Sequence, residues 1–263
     1  MDDDLLAEWL GHRTRETSPP MPAAPRLRAG APETDGPDGP TRTPRRGTIT
    51  REAVVDAAVK VVDADGLDAM TMRRVGLELD TGGASLYAHV AGKEELLELV
   101  IDRVIGELRL PGPPEADRWQ EQVKDIVRSM RAVLGAHKDI ARACLARIPL
   151  GPNALRGSEA LIGVMRAGGL PEQVIAYACD LLPLYATATA YEESLYAKLG
   201  LGQEELGRYI GEVRTYFASL PVDRFPNVVS LAGPLTAGSG GDERFEFGLE
   251  VLVRGLAALV PDA

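Results

Sequence analysis

Between Met70 and Lys93 the chain reads MTMRRVGLELDTGGASLYAHVAGK, two short helical patterns joined by a tight, glycine-bearing turn. Thr71 can cap a helix from Met72 to Leu79 that turns Val75 and Leu79 inward. The run Asp80-Thr81-Gly82 supplies turn chemistry, and a second helix is expected from about Gly83 with Leu86 and Val90 as its buried anchors. That register leaves Gly83, Ala84, Ser85, Tyr87, Ala88 and His89 on its exposed or partly exposed sides. Two helices this short need a third to cover them. The preceding stretch provides it: Thr50 as N-cap, apolar residues at Val54, Val55, Ala58, Val59 and Val62, and Gly66 followed by Leu67 as a left-handed C-cap with an apolar follower.

The remainder reads as helix after helix, with no period-two run that argues for a strand, so the fold class is all-α. A broad apolar face (Leu96, Leu97, Val100, Ile101, Val104, Ile105) marks a helix from Lys93 to about Leu108, stopped by the prolines around 111–114. A helix carrying Trp119, Val123, Ile126 and Met130 follows, with Asp117 and Gln120 as a capping pair. Shorter helices are expected near 139–147 and 153–167. Pro171 opens a long helix that contains Pro183, a residue that should kink it. Another helix spans about 203–220, and the Pro- and Gly-bearing stretch 221–241 reads as a loop. In the final helix, from Asp242 to about Val260, the apolar residues exceed one inward stripe. Leu249, Leu252, Val253 and Leu256 are accordingly expected at an interface with a second copy of the chain, where Gly248, Gly255 and Ala257 permit close helix approach.

Residues 14–43 are rich in Pro, Gly, Thr and Arg and poor in large apolar side chains, so residues 1–44 are expected to be a disordered extension. Two units should follow, a helix-turn-helix domain over 45–110 and a helical ligand-binding and dimerisation domain over 115–263. With 45% hydrophobic residues in 263 the chain can bury a substantial core. No apolar run is long enough for a membrane span and MDDDLLAEWL is acidic where a secretory signal is basic, so a cytoplasmic protein without membrane partners is expected. The two cysteines, Cys144 and Cys179, lie in apolar helical stretches without CxxC spacing, and neither a disulfide framework nor a metal site is expected. No phosphate loop, GxSxG or HExxH occurs, so the chain is expected to be neither an enzyme nor a cofactor protein.

A net charge of −10 argues against a protein that coats nucleic acid along its surface, yet leaves room for a small DNA-reading face. The helix-turn-helix supplies one. Ala84 and Gly83 are small enough for close approach to a major-groove floor, Ser85 offers a hydroxyl, and Tyr87 can reach the backbone. Arg73 and Lys93 stand at opposite ends of the unit as phosphate clamps, Thr71 lies beside them, and Arg45 with Arg46 form an arm for phosphate or minor groove. His89 is as suited to packing as to a phosphate contact. The competing reading is a helical ligand-binding or protein-interaction module that does not read DNA.

At these residues the sequence resembles the tetracycline-repressor (TetR) family. ADGLDAMT, TMRRVGLEL, SLYAHV and GKEELL are similar to that family's DNA-binding segment, and the likeness runs from about Arg45 to Val104. It implies recognition-helix roles for Gly83, Ala84, Ser85, Tyr87 and His89, and matches Lys93 to a phosphate-contacting lysine. Asp80 replaces the glycine usual at the turn. A looser likeness continues through Leu150-Gly151-Pro152-Asn153 and the DERFEFGLEVLVRGL ending to the C-terminal ligand and dimerisation domain. The resemblance implies a homodimeric regulator, most simply a repressor, that binds palindromic double-stranded operator DNA and is released by a small-molecule effector. In the tetracycline branch a His and a Glu help hold a metal-bound drug; Cys144 stands at that His position and Glu192 or Glu193 near the Glu, so neither tetracycline nor magnesium is expected. A ligand pocket is expected from Trp119, Met130, His137, Cys144, Met165, Tyr177, Tyr185, Thr189 and Glu192.

Overall fold

The computed structural model describes residues 49–145, 147–198, 203–237 and 241–261. The expectations for residues 1–44 and for Arg45 and Arg46 lie outside them. Every regular element among the described residues is helical: α1 (Arg51–Asp65), α2 (Met72–Glu78), a 3-10 segment (Gly83–Ala88), α3 (Lys93–Ile105), α4 (Trp119–Ala136), α5 (Ile140–Leu145), α6 (Pro152–Ala167), α7 (Glu172–Lys198), α8 (Gln203–Ala218), α9 (Pro226–Ser230), α10 (Ala232–Thr236) and α11 (Gly241–Ala257). None is long and apolar enough to cross a membrane.

By contact density the described chain forms two compact units. The smaller runs from Tyr196 to Arg244 and holds α8 with the short helices α9 and α10, which pack against it. The stretch 221–241, expected as a loop, thus contains two helical turns; Pro226 occupies the first turn of α9, where its missing N–H has no helical partner to lose.

The larger unit comprises 49–195 and 245–261 and is built on two cores. In the first, α1 buries Val54, Ala58, Val61 and Val62 against Val75, Leu86 and the inner face of α3. Each such valine or leucine contributes roughly 1.5–3 kcal/mol on burial. Local caps fix the ends of these helices. Thr50 Oγ1 accepts the Ala53 N–H at 3.1 Å, Gly66 turns the chain out of α1 at φ 90°, and Thr71 Oγ1 accepts the Arg74 N–H at 3.1 Å. The same core extends across 110–115 into the second half, through Leu134, Ile140 and Ala190.

The second core packs α4, α6, α7 and α11, with Trp119, Ile126, Met165, Leu182, Phe245 and Leu249 at its centre. The entry to α4 differs from the expected Asp117–Gln120 pair. Its N-cap is Arg118 without a side-chain cap bond, and Gln122 ties the turn instead, accepting from Glu115 N–H and donating to the Pro113 carbonyl, both at 2.9 Å. Two ion pairs and a cation–π contact from α4 orient α11: Arg128 to Glu246 at 2.7 Å, the nearly buried Lys124 to Glu250 at 2.5 Å, and Arg131 over the Phe245 ring at 4.5 Å. The Arg128 guanidinium holds the Glu246 carboxyl below its ordinary range. Leu249, Val253 and Leu256 consequently face the chain's own core, with Leu252 packed at its margin. Leu249, Val253 and Leu256 are thus internal and not at the expected subunit interface, while Leu252 keeps a partly exposed side chain. The outward face of α11 carries Phe247 and Val251, 72% and 53% exposed.

Candidate functional site

The helix-turn-helix forms as the spacing predicts, except that its second element is a six-residue 3-10 helix, not an α-helix. The reason is steric. The 3-10 segment crosses α2 backbone to backbone: a Cβ on Gly76 would lie 2.8 Å from Gly83 N and 2.9 Å from Thr81 O, and one on Gly83 would lie 3.0 Å from the Met72 carbonyl. Gly83 therefore owes its size to this crossing, and its missing side chain points at α2, not at a groove floor. Asp80 makes the turn in the left-handed region at φ 52°, a conformation that Asp tolerates better than most residues. The Gly76 carbonyl accepts the Thr81 N–H at 2.8 Å and closes it.

With Leu86 and Val90 buried, Ala84, Ser85 and Tyr87 face outward, Tyr87 with 58% of its surface free. Ser85 shares a 3.2 Å hydrogen bond with Thr81, which fixes its hydroxyl at the leading end of the segment. His89 is half-buried at the C-cap. Arg73 and Lys93 are exposed at either end of the unit, and among the described residues neither has an ion-pair partner. The neighbouring Arg74 does, bonding Asp65 at 2.9 Å and Glu78 at 3.2 Å, so it braces α2 against α1. Glu95 accepts the Ala91 N–H and pairs with Arg51, positioning the first turn of α3 and with it Lys93. Thr71 is exposed, its oxygen engaged as the cap and its O–H available to a phosphate.

A cavity of about 440 Å³ lies between the end of α3, α4, α5, the loop after it and α7. Its apolar wall comes from Ile105, Leu108, Met130, Val133, Leu134 and Ile148. Arg147, Asp180, Thr187 and the two thiols add polar points. Pro183, also on the wall, has no N–H for the carbonyl of Cys179 one turn earlier. Of the residues expected in a pocket, Met130 and Cys144 line this cavity. Trp119 and Met165 are buried in the second core; Tyr177 is 70% exposed; and Tyr185 stacks on Phe245 and donates to its carbonyl at 3.0 Å. Thr189 donates to the Tyr185 carbonyl at 2.9 Å, and Glu192 lies further along α7, off the cavity wall. His137 sits between the carboxylates of Asp63 and Glu107, at 3.0 and 3.2 Å, where it fastens the end of α1 to the end of α4. Thr187, a hydroxyl that the sequence offers to a ligand on this helix, lines the cavity as well. Sequence reasoning missed Cys179, Asp180 and Pro183, whose i, i+1, i+4 spacing, with Thr187 at i+8, was the available signal.

Desolvation pushes the Cys144 thiol up to about 11 and raises Cys179 in the same direction. Both are protonated thiols at neutral pH. Alkylation of Cys144 by iodoacetamide at pH 8 should therefore run roughly 100-fold slower than for an exposed cysteine, from the thiolate fraction alone. Mass spectrometry of timed aliquots checks this, and a rate equal to that of free cysteine would show the site to be open to water.

An outward reader with terminal cations, joined to a helical body with a mainly apolar cavity open to solvent on one side, defines a helix-turn-helix DNA-binding regulator that responds to a ligand. Family models agree along most of the described chain: residues 54–100 match "Bacterial regulatory proteins, tetR family", and residues 110–260 match "Tetracyclin repressor-like, C-terminal domain". The chain belongs to the TetR family of transcriptional regulators. It is 33% identical over 250 residues to the HTH-type transcriptional repressor DrrR1 of Streptomyces coeruleorubidus, covering 89% of this chain and 91% of that protein. Among solved structures, apo ActR from Streptomyces coelicolor is 44% identical, with a TM-score of 0.74 over 82% of this chain and 98% of its own. ActR in complex with actinorhodin gives a TM-score of 0.76 at the same identity, over 82% and 99%. The tetracycline repressor of class E from Escherichia coli is more distant, at 22% identity over 80% of this chain and 92% of its own length.

Proposed function

We propose that the chain acts as a homodimeric repressor in which Ala84, Ser85 and Tyr87 read the major groove. Thr71, Arg73 and Lys93 hold the flanking phosphates, and His89 supports the segment from its C-cap. The observation that carries this reading is the burial of Leu86 and Val90, which turns the small and polar side chains out between two unpaired cations. Arg45 and Arg46 extend the phosphate hold from the chain before α1. The two readers of a dimer would meet half-sites about 34–36 Å apart, so the operator is palindromic.

The dimer is assigned to the outward faces of α7 and α11. Tyr177 and Leu181 are exposed on α7 and Phe247 and Val251 on α11, and the two helices meet where Tyr185 stacks on Phe245. The cavity is the effector site, as ActR takes actinorhodin. Its occupant favours a conformer in which α3 carries the readers out of register, since a ligand shifts only the equilibrium it binds differentially.

Selection of bound duplexes from random DNA with purified protein tests the reader. A palindromic motif is expected, with affinity that falls steeply as salt rises. Lys93→Ala should weaken all sequences alike, by about tenfold, and reduce the salt slope by about one per half-site. Recovery of no palindrome would favour the competing reading of a helical module that does not bind DNA.

A further inference from the structure

A second groove, of about 460 Å³, runs between the start of α1, α3 and the loop after α5. Three carboxylates line it, Glu95, Glu98 and Asp102, together with two guanidiniums, Arg51 and Arg147. All but one of these charges are engaged. Arg51 pairs with Glu95, Arg147 pairs with Glu94 at 2.6 Å, and Asp102 accepts the N–H groups of Asn153 and Ala154 at 3.0 Å. Glu98 is left: it is exposed, and among the described residues it has no ion-pair partner. The loop adds Ile148 and Leu150 to the lining, 85% and 74% exposed. The groove thus offers one unanswered negative charge together with an apolar shelf.

We propose that this groove is the resting seat of the chain's own segment 42–48, and that Glu98 holds the arginines of that segment until operator DNA takes them. Two observations favour this occupant. The first is reach. Ile49 packs against the first core and Arg51 lines the groove, so the chain enters α1 at the groove's rim. Arg45 precedes Ile49 by four residues, at most about 14 Å of extended chain, and its own side chain lengthens that span. The second is charge. The segment carries Arg42, Arg45 and Arg46 and no acid, and it meets a wall whose own cations are already paired. The arginine stems and Pro44 can lie along Ile148 and Leu150 while a guanidinium stays in water at Glu98. Each such exposed pair is weak, but a tether of a few residues keeps the local concentration of the arm high, so weak contacts populate the seat. A guanidinium at Glu98 is not on a phosphate, so occupancy of the seat lowers operator affinity by the fraction it withholds. That consequence rests on Arg45 and Arg46 being a DNA arm; the seat itself does not.

Carbodiimide crosslinking of the full chain tests the seat. Arg45→Lys with Arg46→Lys keeps the charge and gives the arm amines that a zero-length reagent can join to a carboxylate. In free protein, peptide mass spectrometry should recover an amide between position 45 or 46 and Glu98 within one chain, and the selected palindromic duplex should suppress it. Operator titrations test the consequence. Glu98→Gln should raise affinity about threefold, and should change nothing in a chain that also carries Arg45→Ala and Arg46→Ala. The second comparison separates release of the arm from lost repulsion between Glu98 and phosphate, which persists without the arm. An unchanged melting temperature for Glu98→Gln excludes a folding effect. Absence of the amide in free protein, its formation only between labelled and unlabelled chains of an isotope mixture, or a gain in affinity that survives loss of both arginines overturns the proposal. Recovery of the amide in protein that selects no palindrome upholds the seat and overturns the DNA reading instead.

Discussion

Gly76→Ala is expected to cost the protein roughly 100-fold in operator affinity while leaving the rest of the chain folded. The added methyl would lie 2.8 Å from Gly83 N and 2.9 Å from Thr81 O, and both neighbours are backbone atoms of the turn, so neither can step aside by changing rotamer. Overpacking of this kind costs about 1–3 kcal/mol. Here the cost falls on the pairing of α2 with the 3-10 segment. The turn that would have to open is the one closed by the bond from Thr81 N–H to the Gly76 carbonyl. A competent reader then becomes a minor population, and apparent affinity falls by that fraction. Two readers act on one operator, so a tenfold loss in each compounds. Gly82→Ala is the control, since a Cβ there meets nothing within 4 Å. Gel-shift titration of both variants beside a thermal melt checks the prediction. Wild-type affinity in Gly76→Ala would show that the backbone crossing does not hold the reader in shape.

The reader was legible in sequence because its determinants are local. Thr71, Val75, Asp80, Leu86 and Val90 act within two turns of where they stand, and each does in the structure what its spacing predicts. The 3-10 geometry was not legible, because it follows from how closely Gly76 and Gly83 let two backbones approach. Spacing alone cannot separate a glycine needed for that crossing from one left small for DNA. The cavity was harder still. Its wall is assembled from the end of α3, from α4, α5, a loop and α7, so no local pattern announces it. Favouring aromatic hydroxyls selected Tyr177 and Tyr185, but the register of α7 turns the first to the surface and commits the second to the Phe245 carbonyl. Cys179 and Asp180 share the cavity face of α7 with Pro183 and Thr187, and a reading by helical spacing from Pro183 would have reached them.

Phe247→Glu should convert the protein to a monomer and reduce operator affinity by about 10²–10⁴, the factor that linkage of two readers supplies. Seven large apolar residues between Phe245 and Val260 announce two faces on α11, but the sequence does not say which face is internal. The ion pairs from Arg128 and Lys124 decide it. By drawing Glu246 and Glu250 toward α4 they roll Leu249 and Val253 into the core, and Phe247 and Val251, two positions earlier along the chain, come out on the opposite side. A 100° step per residue makes that offset about 200°. An aromatic side chain left 72% exposed, one turn before the exposed Val251, is the kind of group that anchors an interface when a partner covers it. A carboxylate in its place would be stripped of water against the partner's apolar side chains and disfavours association strongly. Leu249→Ala separates the two faces. It should leave the dimer intact but lower stability by about 2–5 kcal/mol, because the cavity it opens is inside the chain's own core. Sedimentation of both variants, with melting curves and operator titrations, decides between them. A Phe247→Glu protein that still sediments as a dimer would move the interface off α11.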